Sequence, residues 1–129
     1  MPTWGEVQEY ARSKYVLSKD EEQWFSLIWR YEGDRTQQIF VKRFSAYNQD
    51  WVEFRSFVCA GTELSPQVAL RKNETFLVGA LALDTDGDYC MIHNAPLATL
   101  DPEEFDLPLS VLASVADDLE KEHTIKDDY

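Results

Sequence analysis

The chain is poor in positive charge: its 129 residues contain 12 Lys and Arg against 24 Asp and Glu, for a net charge of −12. Binding to duplex nucleic acid relies on cations that displace the counterions of the phosphates, so we expect no nucleic-acid partner. The acid is concentrated late in the chain, where residues 101–128 hold ten carboxylates and two lysines. We interpret this run as a solvated helix face. The alternative is an immunity or decoy-type inhibitor that presents acid to a basic partner.

Cysteine and histidine are equally scarce, with two residues of each. Cys59 and Cys90 lie in separate apolar strand patterns, which favours reduced, buried thiols of a cytoplasmic protein over a disulfide framework. His93 and His123 are too few for a zinc site unless carboxylates join them, and the sequence places none there. A small enzyme that uses Cys59 or Cys90 with a histidine is the alternative from another functional class.

Several further motifs are missing. No apolar run is long enough to cross a bilayer, and no basic segment leads into an apolar one at the N-terminus, so we expect neither a membrane span nor a secretory signal. Phosphate-binding loops and nucleophile elbows are absent. The run Asp84–Asp88 alternates like the start of a calcium loop, but Tyr89 stands where that loop needs Gly and Ala95 where it needs Glu. The sequence therefore predicts no metal, no cofactor and no catalytic residue.

What the chain does have is the composition of a folded domain. Hydrophobic residues make up 44% of it and aromatic residues 13%, enough for a core. We predict one α+β domain over residues 1–124, followed by a frayed tail at 125–129. Thr3 and Glu6 fit a capping box in which each side chain accepts from the other's amide, so a helix should run from there to about Lys14.

The first half then alternates between apolar and polar positions. Residues 18–22 read as a polar linker. Three strands are predicted over 23–32, 37–46 and 51–59, and their short connections imply an antiparallel meander. The core row of the first strand is uniformly apolar and consists of Phe25, Leu27, Trp29 and Tyr31. One face of the third strand carries Val52, Phe54, Ser56 and Val58.

The second half begins with a short helix at 66–73, capped by Ser65 with Pro66 in its first turn. The nearly all-apolar run 76–83 predicts an inner strand buried on both faces, in which Gly79 marks a bulge or a close helix crossing. A tight turn at Asp86-Gly87 leads into a fifth strand at 89–94.

A long helix closes the chain. Asp101 can cap a first turn, and Asp106 can cap again before Pro108. Apolar residues at helical spacing form the inner face, with carboxylates on the other. The inner residues are Leu112, Val115, Ala116 and Leu119; the outer ones are Asp117, Asp118, Glu120 and Glu122.

The predicted order α-β-β-β-α-β-β-α resembles class I type III secretion chaperones of the Tir-chaperone type and the YbjN-like families. The resemblance implies a twisted antiparallel five-stranded sheet with helices packed mainly on one face. It also implies a homodimer joined through the short helix and neighbouring strands, and a client polypeptide held unfolded on the surface. The residues that carry it are Leu70, Asn73, Gly79, Asp86-Gly87, Pro96-Leu97 and the run 116–120.

Aromatic and aliphatic side chains that fall off the core rows are the remaining functional signal. Trp24 and Ile28 do so in the first strand, and Trp51 and Phe57 in the third. If both rows point away from the helices, they form an apolar patch of the kind that marks protein interfaces. The alternative is that the short helix or a dimer partner covers them. We therefore predict a non-catalytic protein-binding module, with these four residues as its candidate site.

Overall fold

The computed structural model describes residues 3–31, 33 and 35–123. Within them, three α-helices accompany a six-stranded sheet in which every neighbouring pair is antiparallel, in the order β1-β2-β3-β4-β6-β5. The predicted tail lies outside the described residues. The elements are α1 (Trp4–Lys14), β1 (Leu17–Asp20), β2 (Trp24–Arg30), β3 (Thr36–Ala46), β4 (Gln49–Ala60), α2 (Pro66–Asn73), β5 (Ala80–Leu83), β6 (Asp88–Pro96), a 3-10 turn (Leu97–Thr99) and α3 (Pro102–His123).

The α+β class is confirmed, and the predicted order matches except for one additional strand after α1, so the count of five strands is wrong. The additional strand is β1, which occupies most of the segment predicted as a polar linker. Only Leu17 is half-buried there and the other residues are exposed, so the strand has no apolar alternation to read. Backbone pairing with β2 forms it instead, with Leu17 opposite Leu27. A backbone ladder needs no apolar side chains, which is why the sequence pattern missed this strand.

The prediction of an inner strand over 76–83 is wrong. Only Ala80–Leu83 forms a strand, and it lies at the sheet edge beside β6 alone. Leu77 is 99% exposed. The outer side of the strand is occupied at Leu81, whose N–H donates to Asn73 Oδ1 (2.7 Å) and whose carbonyl accepts from Asn73 Nδ2 (3.2 Å). This side chain takes the place of a neighbouring strand and shields part of the edge.

Gly79 makes the close helix approach that the sequence predicted. Its φ is +78°, a conformation that favours glycine. A Cβ added there would stand 2.8 Å from Leu112 Cδ1 of α3 and 3.0 Å from the Ile92 carbonyl oxygen. The missing side chain therefore lets the start of β5 pass directly under α3.

The core lies between one face of the sheet and helices α1 and α3. Phe105 is fully buried at its centre, with ring centroids 5.5 Å from Phe54, 5.9 Å from Tyr10, 6.3 Å from Phe25 and 6.4 Å from Tyr15. The predicted core rows are confirmed in β2 and β4, since their members in both strands are buried or half-buried. The inner face of α3 is confirmed as well, with its residues buried except the half-buried Val115.

Two of the carboxylates predicted on the solvated face of α3 are buried, which corrects that prediction. Asp117 is 2% exposed and Glu120 is not exposed at all. Arg35, just before β3, donates from Nε to Asp117 Oδ1 (3.0 Å) and from Nη2 to Glu120 Oε1 (3.1 Å). A cation that is distant in sequence allows two carboxylates to be buried, and a helical-face pattern cannot reveal it. Asp118 and Glu122 are exposed, as predicted.

Helix α3 is continuous from Pro102, so Asp106 is not a second cap. The first cap is confirmed, because Asp101 Oδ1 accepts from the Glu104 N–H at 2.8 Å. Asp106 instead joins α3 to the end of α1. Its carboxylate accepts from Tyr10 Oη (2.5 Å), Tyr15 Oη (2.7 Å) and Lys14 Nζ (2.7 Å).

These contacts predict a pH-dependent stability. Burial by itself would raise the pKa of Asp106, but the hydrogen bonds from Lys14, Tyr10 and Tyr15 lower it below its ordinary value. A carboxyl whose pKa is lower in the folded state stabilises the protein above its unfolded pKa, and this contribution is lost as the pH falls through the folded pKa. Asp106→Asn should therefore reduce the free energy of unfolding by about 1–3 kcal/mol at neutral pH.

Urea titrations between neutral pH and about pH 3 measure this effect. The difference between Asp106→Asn and the parent should shrink as the pH falls. Asp118→Asn removes an exposed carboxylate from the same helix and is the matched control. An equal loss of stability for Asp106→Asn at both pH values would contradict a charge-dependent link between the helices.

Candidate protein-binding surface

The face of the sheet opposite α1 and α3 carries the side chains that alternate with the core rows. We call it the open face. Residues paired across antiparallel strands point to the same side, so the register defines which side chains share it. Its cross-strand rows are Phe44, Trp51 and Pro96; Trp24, Lys42, Glu53 and Asn94; Ser26, Phe40, Arg55, Ile92 and Ala80; Ile28 and Gln38; and Phe57, Cys90 and Ala82.

All four residues of the predicted site lie on this face, but the structure brings only two of them together. Trp24 and Phe57 line one groove. Trp51 stacks on Phe44 instead, with ring centroids 6.4 Å apart, and its Nε1 donates to the Ala46 carbonyl at 2.9 Å. Ile28 is 40% exposed in the outer part of β2. The last two therefore flank the groove and do not form it.

The groove has a volume of about 510 Å³ and runs across β2, β3 and β4. Phe40 adds a third aromatic ring, with its centroid 6.0 Å from that of Trp24. The remaining walls are the side chains of Lys42, Glu53 and Arg55. Phe40 is absent from the predicted site because the sequence pattern alone assigns no face to the middle strand. Once β2 and β4 are assigned, pairing through β3 would have placed Phe40 and Phe44 on the same face.

Of the charged side chains in the groove, Arg55 and Glu53 form an ion pair with each other and Lys42 does not form one with a described residue. Arg55 Nε donates to Glu53 Oε1 at 3.0 Å, and both side chains are largely covered. Burial would lower the pKa of the Arg55 guanidinium, but the hydrogen bond to Glu53 raises it above its ordinary value, so the group stays positively charged. Lys42 is exposed and makes no ion pair with any residue that the structure describes. The groove thus presents three aromatic rings, an internally paired Arg and Glu, and one available ammonium group.

The two thiols are not arranged as nucleophiles. Cys59 pairs with Tyr89 in the register, whereas His93 pairs with Phe54, four positions further along β6. That separation is about 13 Å along a strand. Burial raises the pKa of Cys59 to about 11, and burial also raises the pKa of Cys90. A reactive thiol needs the opposite shift, so this geometry does not support the cysteine-enzyme alternative.

The acidic hairpin that resembles a calcium loop is a structural turn. Asp84 Oδ1 accepts from the N–H groups of Asp86 and Asp88, both at 2.9 Å, and Gly87 has a φ of +82°. In the part of the chain that the structure describes, no three His, Cys, Asp or Glu side chains converge as metal ligands would. No helix there is both long and apolar enough to span a membrane.

Comparison with known proteins adds information on the fold. No protein-family model matches the sequence, and no curated protein sequence matches it. Among solved structures, a chain of the HopA1–SchA chaperone–effector complex has a TM-score of 0.63 and 12% identity, covering 89% of this chain and 90% of that one. A chain of the ExsC–ExsE complex has a TM-score of 0.63 and 16% identity, covering 97% and 98%.

The protein has a type III secretion chaperone-like fold. This confirms the chaperone part of the predicted resemblance, while the YbjN-like part stays a prediction. Identities of 12% and 16% establish the fold alone. The four residues of the candidate site stay a prediction as well.

Proposed function

We propose that this protein is a non-catalytic, chaperone-like module that holds an extended client polypeptide on its open face. The observation that carries the proposal is the groove, in which Trp24, Phe40 and Phe57 line a concave patch on the face that the helices leave uncovered. Aromatic side chains in such a setting are the residues that dominate protein interfaces. The likeness to a chain of a chaperone–effector complex supports a polypeptide as the partner.

The proposal includes a homodimer joined through α2 and β5, and a cytoplasmic location consistent with two unpaired cysteines. Four exposed apolar side chains support the interface. Their exposed fractions are 41% for Val68, 71% for Leu70, 99% for Leu77 and 52% for Leu83. They belong to α2, to β5 and to the segment between them, so a second copy could cover them together. Light scattering measures the mass, and a monomer at micromolar concentrations would contradict this part of the proposal.

Selection from a library of displayed peptides tests client binding. The parent protein should enrich peptides that the variant Trp24→Ala/Phe57→Ala binds at least about tenfold more weakly, because the variant removes two aromatic walls of the groove. Leu107→Ala is the matched control, since Leu107 is 60% exposed on α3 on the other side of the sheet. Equal binding of the enriched peptides by the parent and the folded double variant would contradict a client site in the groove. Circular dichroism verifies that the variant is folded.

A further inference from the structure

Positive charge is distributed unevenly over the molecule. Seven Lys and Arg side chains form ion pairs with carboxylates. Four others in the described part of the chain form none: Lys19, Arg30, Lys42 and Arg71. Three of these four belong to β1, β2 and β3, whereas Arg71 is on α2. Most of these cations without a carboxylate partner therefore belong to neighbouring strands of the sheet.

The register places these three cations on the open face. Lys42 pairs with Trp24 and lines the groove. Lys19 pairs with Ser26, which belongs to the same face. Arg30 follows Ile28 at a spacing of two in β2, so its side chain points to the same side. Two carboxylates belong to the described strand residues of this face: Glu53, which Arg55 already binds, and Asp88, which stands two residues before Cys90 at the start of β6 and outside the groove.

We infer that the open face takes an extended peptide segment that carries Asp or Glu beside an aromatic or aliphatic side chain. This inference rests on the proposed function and adds the class of the client segment. The apolar side chain enters between the rings of Trp24, Phe40 and Phe57, and a neighbouring carboxylate binds Lys42. The groove spans β2, β3 and β4, which are two strand spacings or about 10 Å apart, so about three extended residues cross it.

The net charge of the protein is negative, which makes a preference for acid unexpected. The local cations nevertheless determine the potential that a bound segment meets. Helix α3, with its carboxylates, packs on the other face of the sheet, so the sheet lies between them and a segment bound at the open face. Exposed charges separated by more than the Debye length, about 8 Å at physiological salt, are largely screened from each other, so the exposed carboxylates of α3 act weakly there. A carboxylate that contacts Lys42 directly is not screened in this way.

A single-stranded nucleic acid could also use cations and aromatic rings. The observations favour a peptide, because a nucleic acid carries a negative charge at every nucleotide and only one cation in the groove is unpaired. A chain with a net charge of −12 would repel such a polymer along its whole length. An acidic peptide segment needs only one or two ion pairs.

Three synthetic peptides test the inference at about 0.15 M salt. They share the same Phe and Leu residues and differ in the residues between them, which are Asp and Glu, Asn and Gln, or Lys. The acidic peptide should bind most tightly. Lys42→Glu should weaken its binding about three- to tenfold, and Lys42→Met, which keeps the apolar stem, should have a smaller effect. Arg12→Glu, with the same change of net charge on α1 at the other side of the sheet, should leave the affinity within about twofold.

Each outcome decides one claim. If the amide or lysine peptide binds as tightly as the acidic one, the inference is wrong but the proposed function stands. If no peptide binds and the display library yields no groove-dependent sequence, both are wrong. A single-stranded oligothymidine that binds more tightly than the acidic peptide would overturn the inference in favour of nucleic acid. A Trp24→Ala/Phe57→Ala variant that converts a dimer into monomers would assign the face to a second copy.

Discussion

Replacing Arg35 with Ala should lower the free energy of unfolding by about 3–5 kcal/mol. Asp117 and Glu120 are 2% and 0% exposed, and Arg35 donates to both. Without the guanidinium, two buried carboxylates face each other near the end of α3 with less compensation. Lys121 Nζ, 3.3 Å from Asp117 Oδ2, can offset only part of this loss because its side chain is half exposed.

Chemical denaturation of the variant and two companions measures this effect. Arg12→Ala removes an arginine that bonds Glu9 and Asp20 at the surface, and it should cost less than about 1 kcal/mol. Arg35→Met combined with Asp117→Leu and Glu120→Leu replaces the buried ions with apolar groups and should recover most of the stability. If Arg35→Ala costs no more than Arg12→Ala, the carboxylates do not depend on Arg35.

Replacing Phe105 with Ala should cost a similar amount, about 3–5 kcal/mol. Phe105 is fully buried and contacts the rings of Tyr10, Tyr15, Phe25 and Phe54. Tyr10 belongs to α1 and Tyr15 directly follows it, whereas Phe25 lies in β2 and Phe54 in β4. The cavity would therefore open where helix and sheet meet. The surrounding backbone elements are fixed by their own ladders, which limits how far they can collapse into the space.

Thermal and urea unfolding of two further variants separate cavity formation from other effects. Phe105→Leu keeps most of the volume and should cost less than half as much. Phe44→Ala removes a half-buried ring from the open face, where solvent can enter, and should cost about 1–2 kcal/mol. Comparable losses for Phe105→Ala and Phe44→Ala would show that Phe105 is not the centre of the core.

Local signals in the sequence were reliable where a few neighbouring residues determine the structure. Thr3, Ser65 and Asp101 each cap the helix predicted after them, with side-chain oxygens that accept from the N–H groups of Glu6, Val68 and Glu104. The reciprocal contact expected for Glu6 differs in detail, because its carboxylate accepts from the Thr3 hydroxyl. Caps depend on residues three positions apart, so the chain carries the information locally.

Sheet position was less predictable, because it depends on which strand lies next to which. The strand β1 forms on a polar segment through backbone pairing with β2 and through polar side-chain contacts, such as that of Ser18 with Ser26, and β5 is an edge strand although its sequence is apolar. Periodicity predicts neither strand position. The polar segment of β1 has no apolar alternation, and the apolar pattern of β5 suits either an inner strand or an edge strand that another element covers.

The candidate site divides in the same way. The sequence by itself determined that Trp24, Ile28, Trp51 and Phe57 stand off the core rows, because alternation along a strand is a local property. Only the tertiary structure decided that Trp24 and Phe57 share a groove with Phe40 and Lys42, since that depends on the register of three strands. It also decided that the acid of α3 is partly buried against Arg35. Contacts between residues distant in sequence produce no periodic pattern, so the positions of charged and aromatic side chains on a common surface are known only from the folded structure.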